Sequence, residues 1–210
     1  MEKEVINQVT IEGCIKEEFS FSHMHMGEKY YRTKIAVART SGAEDTIPVI
    51  VSENVVDIKK DYAGQRAKVI GQYRSHDDFS SGKMRLLLYV FAKTFSICGE
   101  GEDINNILLE GFVCKAPLYR KTPFGRNITD LFLAVDREEE TDYIPCICWE
   151  KEALNASFLS VGTKVSIKGR VQSRAYHKKM SDGSVVEKVA YEVSTFRLQH
   201  IKDAVSVSHR

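Results

Sequence analysis

The chain repeats itself, and this internal repeat constrains its fold more than any other feature of the sequence. Four segments of the first half reappear in the same order in the second half, at a nearly constant offset of about 98 residues. The paired segments are TIEG and LLEG (from Thr10 and Leu108), IAVAR and LAVDR (from Ile35 and Leu133), DTIPVIVS and DYIPCICW (from Asp45 and Asp142), and AGQRAKVIGQYRS and VGTKVSIKGRVQS (from Ala63 and Val161). The polar segment CGEGED, Cys98 to Asp103, separates the copies and is typical of a short linker. We therefore predict two domains of related fold, residues 1–97 and residues 104–202.

Each copy has the residue pattern of a small all-β domain. In the second copy, alternating and β-branched stretches predict strands, and residues 150–159 are the only stretch with helical character. The predicted strands cover residues 104–116, 127–137, 142–149, 164–176 and 185–200. This order, with one short helix between the third and fourth strands, is that of an OB-fold barrel. The predicted fold class is all-β, with two tandem OB-fold five-stranded barrels, each with one short helix between its third and fourth strands. A five-stranded barrel of another kind is the alternative.

The composition excludes several classes of protein. Hydrophobic residues make up 43% of the chain, enough for a buried core, and the net charge of +1 indicates no bulk attraction to a polyanion. The five Cys include no C-x-x-C pair, the first residues do not form a basic-then-apolar leader, and no apolar run is long enough to span a membrane. We expect a cytoplasmic protein with reduced thiols, no membrane association, and no metal or cofactor.

The strand DYIPCICW differs from its first copy on one face only. Side chains alternate across a strand, so Ile144, Cys146 and Cys148 share a face, and their counterparts in DTIPVIVS are also apolar. On the opposite face, Tyr143 and Trp149 replace a Thr and a Ser of the first copy. We therefore predict that the shared apolar face points into each barrel and that the aromatic side chains point outward only in the second.

Cations accompany these aromatic residues. Residues 161–179 contain six Lys or Arg and no acid, and residues 115–126 contain four and no acid. By alternation, Lys168, Arg170, Arg174 and Tyr176 share the outward face of the strand at residues 164–176, and Lys178 follows it. The other run contains Arg120, Lys121 and Arg126. Positive charge suits phosphates and flat rings suit unpaired bases, so the pattern predicts a single-stranded nucleic acid ligand. The alternative is that the cations form an ordinary solvated face.

The second copy resembles the bacterial single-stranded DNA-binding protein family. The resemblance rests on three segments: NNILLEGFVCKAPLYRKTPFGRNITDLFLAVDR, DYIPCICW and GTKVSIKGRVQSRAY. It implies that Tyr143, Trp149 and Tyr176 stack on bases. It also implies that phosphates contact the cations Arg120, Arg126, Lys168, Arg170 and Arg174, with Lys121 and Lys178 beside them. The first copy resembles the family more distantly and is expected to supply assembly surface, with some charge from Lys68 and Arg74.

The resemblance also implies how the chain assembles. Most family members carry one OB domain and form tetramers, so two domains in one chain suggest a homodimer with four OB-folds. Family members also continue into an acidic, Phe-ended tip that recruits other proteins. Replication or repair proteins are candidate partners of this chain. Its sequence ends in IKDAVSVSHR, so they are not expected to be recruited through such a tip.

The predicted function is non-enzymatic binding of single-stranded DNA, with little sequence preference, in DNA replication, recombination or repair. The expected location is the cytoplasm, in association with the nucleoid. Two alternatives remain open at this point. One is a replication accessory that resembles primosomal protein N and bridges DNA and a partner protein. The other is a protein-interaction module without a nucleic acid ligand, because an OB-fold alone does not fix function.

Overall fold

The first repeat forms six strands. The computed structural model describes residues 6–79, 82, 84–138, 140–180 and 182–201. The strands of the first repeat are β1 (Asn7–Ile15), β2 (Ser20–His25), β3 (Glu28–Ala38), β4 (Glu44–Ser52), β5 (Arg66–Asp78) and β6 (Arg85–Ile97). Within this repeat β1 pairs with β3 and β5, β3 with β4, β5 with β6, and β4 runs parallel to β6. These pairings close five strands into a barrel, while the short β2 pairs with β3 at its edge.

The second repeat has the same topology and adds a helix. Its elements are β7 (Ile104–Val113), β8 (Leu118–Lys121), β9 (Asn127–Arg137), β10 (Glu140–Trp149), α1 (Glu150–Ser157), β11 (Lys164–Lys179) and β12 (Val185–His200). The barrel closes through β7–β9, β9–β10, the parallel pair β10–β12, β12–β11 and β11–β7. The predicted fold class, two tandem OB-fold barrels, is confirmed. No helix among the described residues is long and apolar enough to cross a membrane.

One detail differs from the sequence prediction. We expected a short helix between the third and fourth barrel strands of both repeats, but residues 53–65 of the first repeat form turns. The reason lies in local composition. The sequence of α1, EKEALNAS, is rich in Glu and Ala, which favour helix, whereas the first repeat has Val55, Val56 and Ile58 among turn-forming Asp and Asn residues.

A glycine near the end of the first barrel strand is needed in both repeats. At Gly13 and Gly111 the first strand of each barrel changes partners, from β5 to β3 and from β11 to β9 respectively. A Cβ atom at Gly13 would lie 2.1 Å from the Ala36 carbonyl oxygen, and one at Gly111 would lie 2.6 Å from the Ala134 carbonyl oxygen. Only glycine lets the strands approach this closely, which explains why TIEG and LLEG both end in this residue.

The two barrels are joined edge to edge by an antiparallel pairing of β1 with β7. The pairing runs from Asn7 opposite Leu109 to Glu12 opposite Ile104, so all strands belong to one 12-stranded sheet. Val9 lies opposite Ile107, and these two residues occupy the same position in the two repeats. The pairing is therefore nearly symmetric, with a pseudo-twofold axis that passes between them.

Two buried carboxylates link the barrels reciprocally. Asp45 of the first barrel accepts a hydrogen bond of 2.8 Å from the backbone amide of Ser173 in the second. Asp142 of the second barrel accepts one of 2.8 Å from the backbone amide of Ser75 in the first. The Ser75 and Ser173 hydroxyls in turn accept the backbone amides of Tyr143 and Thr46, at 2.8 and 3.0 Å. Each serine thus contacts the opposite barrel through both its backbone and its side chain.

Replacing Asp142 with Ala is expected to destabilise the protein by about 3 kcal/mol, because the substitution leaves a buried backbone amide unpaired and removes the carboxylate facing Arg137. Urea unfolding followed by circular dichroism measures this loss. Asp136→Ala is the matched control, since Asp136 is exposed and, among the described residues, accepts a side-chain hydrogen bond from the Thr141 hydroxyl alone. Equal unfolding midpoints for the two variants would show that the carboxylate does not stabilise the junction.

Candidate nucleic-acid interface

The inward face of β10 is apolar, as predicted. Ile144, Cys146 and Cys148 are at most 1% exposed, and their counterparts in β4 are fully buried. Burial raises the pKa of the Cys148 thiol to about 12 and that of Cys146 well above its ordinary value. Both thiols are therefore protonated at neutral pH and pack as small apolar side chains.

The outward face of β10 is exposed at one end and partly covered at the other. Tyr143 is 44% exposed, whereas Trp149 is half-buried and Ile147 between them is buried. The Trp149 indole donates a hydrogen bond of 3.1 Å from Nε1 to the Ser194 hydroxyl of β12. The Arg126 guanidinium lies 4.6 Å from the centre of the indole ring. The indole is thus held in place by one hydrogen bond and one cation–π contact.

The outward face of β11 carries the predicted cationic stripe. Lys168 and Arg174 are exposed, and Arg170 is half-buried. Beyond the barrel, β11 and β12 continue as a hairpin on which Tyr176, 37% exposed, and Lys178 lie. Arg120 and Lys121 are exposed on the short strand β8, which pairs with β9. The structure therefore brings Arg126, Trp149 and Arg170 together at one cleft and places the other predicted residues along the barrel and its hairpin.

The arginines of this face are paired with acids that the sequence runs do not contain. Each acid comes from a different element, so a count of charges along one strand misses it. The nitrogen–oxygen pairs are Arg120–Asp130 at 2.7 Å, Arg126–Glu150 at 3.2 Å, Arg170–Asp45 at 2.8 Å and Arg174–Glu192 at 3.4 Å. The exposed lysines Lys121, Lys168 and Lys178 have no ion-pair partner within the described ranges. The net positive charge of the face is consequently smaller than the sequence suggests.

Burial also changes the proton affinity of charged groups at this face. Burial, followed by the nearby charge of Arg39, lowers the pKa of the Arg170 guanidinium. Burial raises the pKa of Glu192, which accepts hydrogen bonds from Gln172 at 3.1 Å and from Arg174 at 3.4 Å. An arginine remains protonated at neutral pH despite such a shift, so Arg170 keeps its charge while it is largely shielded from water.

The ring of Phe132 adds to the aromatic surface at Tyr143 and was not predicted from the sequence. The Phe132 ring of β9 stacks on Tyr143, with ring centres 6.4 Å apart and planes 14° apart. The Lys115 ammonium lies 4.2 Å from the centre of the Phe132 ring. Strand alternation could have revealed Phe132, because its neighbours Leu131 and Leu133 are buried and it therefore points outward.

The first barrel has different residues at the positions of Trp149 and Arg126. Ser52 occupies the position of Trp149, and Glu28 occupies that of Arg126. The Ser52 hydroxyl donates to the Glu28 carboxylate, which also accepts the Asn54 side-chain amide at 3.0 Å. Glu28 therefore lies at the position where the second barrel has Arg126 over the Trp149 indole. Arg74, which we expected to supply charge, lies 3.7 Å from the centre of the Phe91 ring and is half-buried.

The fold and this face define a tandem OB-fold protein whose second barrel presents an outward aromatic and cationic surface. The model of the single-strand binding protein family matches residues 104–200. The single-stranded DNA-binding protein of Clostridium tetani is 39% identical over 101 residues, which cover 43% of this chain and 68% of the relative. The chain therefore belongs to the single-strand binding protein family.

Other relatives agree with this assignment. Single-stranded DNA-binding protein 2 of Listeria innocua is 39% identical over 101 residues, covering 43% of this chain and 62% of the relative. Single-stranded DNA-binding protein A of Bacillus subtilis is 34% identical over 101 residues, covering 44% and 59%. The matched part thus spans about 60% of the length of these two relatives.

The crystal structure of the wild-type single-stranded DNA binding protein of Thermus aquaticus matches 95% of both chains, with a TM-score of 0.75 and 20% identity. A deletion mutant of the same protein matches 98% of both chains, with a TM-score of 0.74 and 22% identity. At this level of identity the likeness concerns the fold. It extends over both repeats, whereas the sequence relatives match only the length of about one.

Proposed function

We propose that this protein binds single-stranded DNA with little sequence preference, without catalysing a reaction, in DNA replication, recombination or repair. The observation that carries the proposal is the outward face of the second barrel, where exposed or half-exposed rings alternate with cations in a member of the single-strand binding protein family. Several of its relatives are named for binding single-stranded DNA. The proposed location is the cytoplasm, on nucleoid DNA.

In this proposal the bases stack on three rings and the phosphates contact nearby cations. Tyr143, Trp149 and Tyr176 provide the stacking faces, and Phe132 extends the face of Tyr143. Trp149 follows Tyr143 by six residues along β10, which corresponds to roughly 20 Å of strand. A flexible single strand follows such a spread of rings, whereas bases in a duplex have no free faces to stack. The lysines Lys121, Lys168 and Lys178 supply phosphate contacts without first breaking an ion pair.

The arginines act differently from the lysines in this mechanism. Arg120 and Arg126 each have a carboxylate partner at the surface, whereas Glu192, the partner of Arg174, is buried. A surface ion pair contributes only about 0–1 kcal/mol, so a phosphate oxygen competes with the carboxylate at little cost. The arginines are consequently positioned before DNA arrives, and their contacts with phosphate depend on the salt concentration.

We further propose that residues 1–97 and 104–202 are the two domains and that they have different roles. The second domain carries most of the DNA contacts, because the first has Ser52 and Glu28 in place of a tryptophan and an arginine. The first domain supports the second through the β1–β7 pairing and the buried carboxylates. The segment between the domains is anchored at Asp103, which accepts hydrogen bonds from Arg66 and from the Ala38 amide.

Trp149→Ala and Tyr176→Ala are each expected to weaken binding of labelled oligo-dT by about 1–3 kcal/mol, the contribution of one stacked base. Fluorescence anisotropy at fixed salt measures the affinity. The control is Tyr31→Ala, which removes a ring from the outer surface of the first barrel. If the unaltered protein fails to bind oligo-dT at low salt, the protein-interaction alternative is favoured. If it binds but all three variants retain full affinity, the assigned rings are not the site.

We also propose that two chains associate, so that the assembly contains four OB-folds. The family model covers one barrel, and the chain carries two barrels already joined through β1 and β7. Equilibrium sedimentation of the purified chain is expected to give the mass of two chains at micromolar concentration. A mass equal to one chain, unchanged on adding oligo-dT, would contradict the proposed dimer and leave the DNA-binding proposal intact.

A further inference from the structure

A cleft of about 600 Å³ opens where the two barrels meet, beside the indole of Trp149. Its walls come from both barrels. Trp149, Arg170 and Phe196 line it from the second barrel, and Arg39 and Ser41 line it from the first. The volume lies within the range of roughly 300–1,000 Å³ that is usual for small-ligand sites.

Phe196 brings an additional aromatic ring to this cleft. It is 59% exposed, an unusual position for a phenylalanine in the middle of a long strand. Its place follows from an irregularity in the pairing of β11 with β12: Lys168 pairs with Arg197 and Gly169 pairs with Thr195, so Phe196 has no direct partner. This bulge turns the ring of Phe196 outward, toward the same cleft as Trp149.

Arg39 and Arg170 together carry one positive charge more than the single carboxylate that they share. Arg39 donates from Nε to Asp45 Oδ2 at 2.7 Å, and Arg170 donates from Nη1 to the same oxygen at 2.8 Å. Two guanidinium groups thus share one carboxylate, which is itself buried and does not line this cleft. Among the lining residues there are three arginines and one acid, Glu152.

The equivalent positions of the first barrel show that this arrangement is not a consequence of the fold alone. Where the cleft has Trp149 and Arg126, the first barrel has Ser52 and Glu28. The pairing of β5 with β6 has the same register shift, between Ile70 and Gly71. The residue at that bulge is Lys93, in the position that Phe196 occupies in β12. Trp149, Phe196 and Arg126 therefore occur together in the second barrel, whereas the first barrel has none of them at the pseudo-symmetric positions.

We propose that this cleft is a nucleotide subsite built by both barrels, in which Phe196 stacks on a base and Arg39 of the first barrel contacts the adjoining phosphate. The inference rests on the proposed binding of single-stranded DNA and adds two residues and the first barrel to it. An arginine fork is suited to phosphate oxygens, and an unpaired base offers a flat face to a phenyl ring. The DNA path thus crosses from the second barrel toward the first at Phe196.

A neighbouring cleft limits the subsite on its far side. That cleft shares Arg39, Arg170 and Phe196 with the first, but it is also lined by Asp45 and Asp103. Two acids line this second cleft and only Glu152 lines the first, so a phosphate is less favoured in the second. The subsite therefore extends from Trp149 to Phe196 and Arg39.

Phe196→Ala tests the stacking role. Its affinity for labelled oligo-dT is expected to fall roughly 5- to 100-fold, the range for loss of one stacked base. Phe196→Tyr, which keeps the flat ring, is expected to retain affinity. The control is Phe158→Ala, which removes an exposed phenylalanine of the same barrel that does not line the cleft. Equal affinities for Phe196→Ala and Phe158→Ala would overturn the stacking role.

Arg39→Gln tests the contribution of the first barrel, with Arg137→Gln as the matched control. Arg137 occupies the equivalent position of the second repeat and donates from Nε to the buried Asp142 at 3.0 Å, as Arg39 does to Asp45. Loss of stability is therefore common to both variants and is measured by thermal unfolding. Arg39→Gln alone is expected to reduce the slope of log K against log salt by about 0.7, the value for one phosphate contact on a single strand.

Three outcomes separate the proposals. If the unaltered protein does not bind oligo-dT, the proposed function itself fails. If it binds, but Arg39→Gln and Arg137→Gln have the same salt slope and Phe196→Ala matches its control, the shared subsite fails and the function stands. If Arg39→Gln unfolds, Ser41→Glu is measured instead. Ser41 lines the cleft from the first barrel, so the added negative charge is expected to weaken oligo-dT binding at low salt. Unchanged affinity would contradict a contribution of the first barrel.

Discussion

Two buried carboxylates, Asp45 and Asp142, fix the way in which the barrels meet. Each accepts a backbone amide from the opposite barrel across the β1–β7 junction, and each is also bound by an arginine of its own barrel. A buried carboxylate without these partners would be costly, so the contacts specify one relative arrangement of the barrels. The position of Arg39 next to Arg170, and hence the cleft beside Trp149, depends on this arrangement.

The two repeats retain what the fold requires and differ in what a ligand contacts. The inward residues of β4 and β10 are apolar in both, and the glycines that allow the first strand to change partners are present in both. The outward residues are under no such packing constraint. There the second repeat has Trp149 with Arg126, and the first has Ser52 hydrogen-bonded to Glu28. A duplicated barrel can therefore be structurally symmetric while its copies carry different residues at these outward positions.

The features that could be predicted from the sequence are those that depend on alternation within one strand. The buried set Ile144, Cys146 and Cys148 and the exposed ring of Tyr143 follow directly from that alternation. The acid partners of the arginines could not be predicted, because Asp45 reaches Arg170 only through the junction of the barrels. Phe196 was missed for a related reason: a bulge breaks the alternation, and its location depends on the pairing of β11 with β12. The helix expected in the first repeat is absent because Val55, Val56 and Ile58 do not favour it.

The most direct measurement of the central claim is an amide chemical-shift map of the protein with and without oligo-dT, recorded by two-dimensional ¹⁵N–¹H NMR. The account predicts that the largest shifts occur at Tyr143, Trp149, Arg170 and Phe196 of the second barrel, with Arg39 as the main responding residue of the first. The amides of Ser52 and Glu28, at the pseudo-symmetric position, are expected to shift little. Shifts of equal size at Ser52 and Trp149, or shifts confined to the first barrel, would contradict the division of roles between the two barrels.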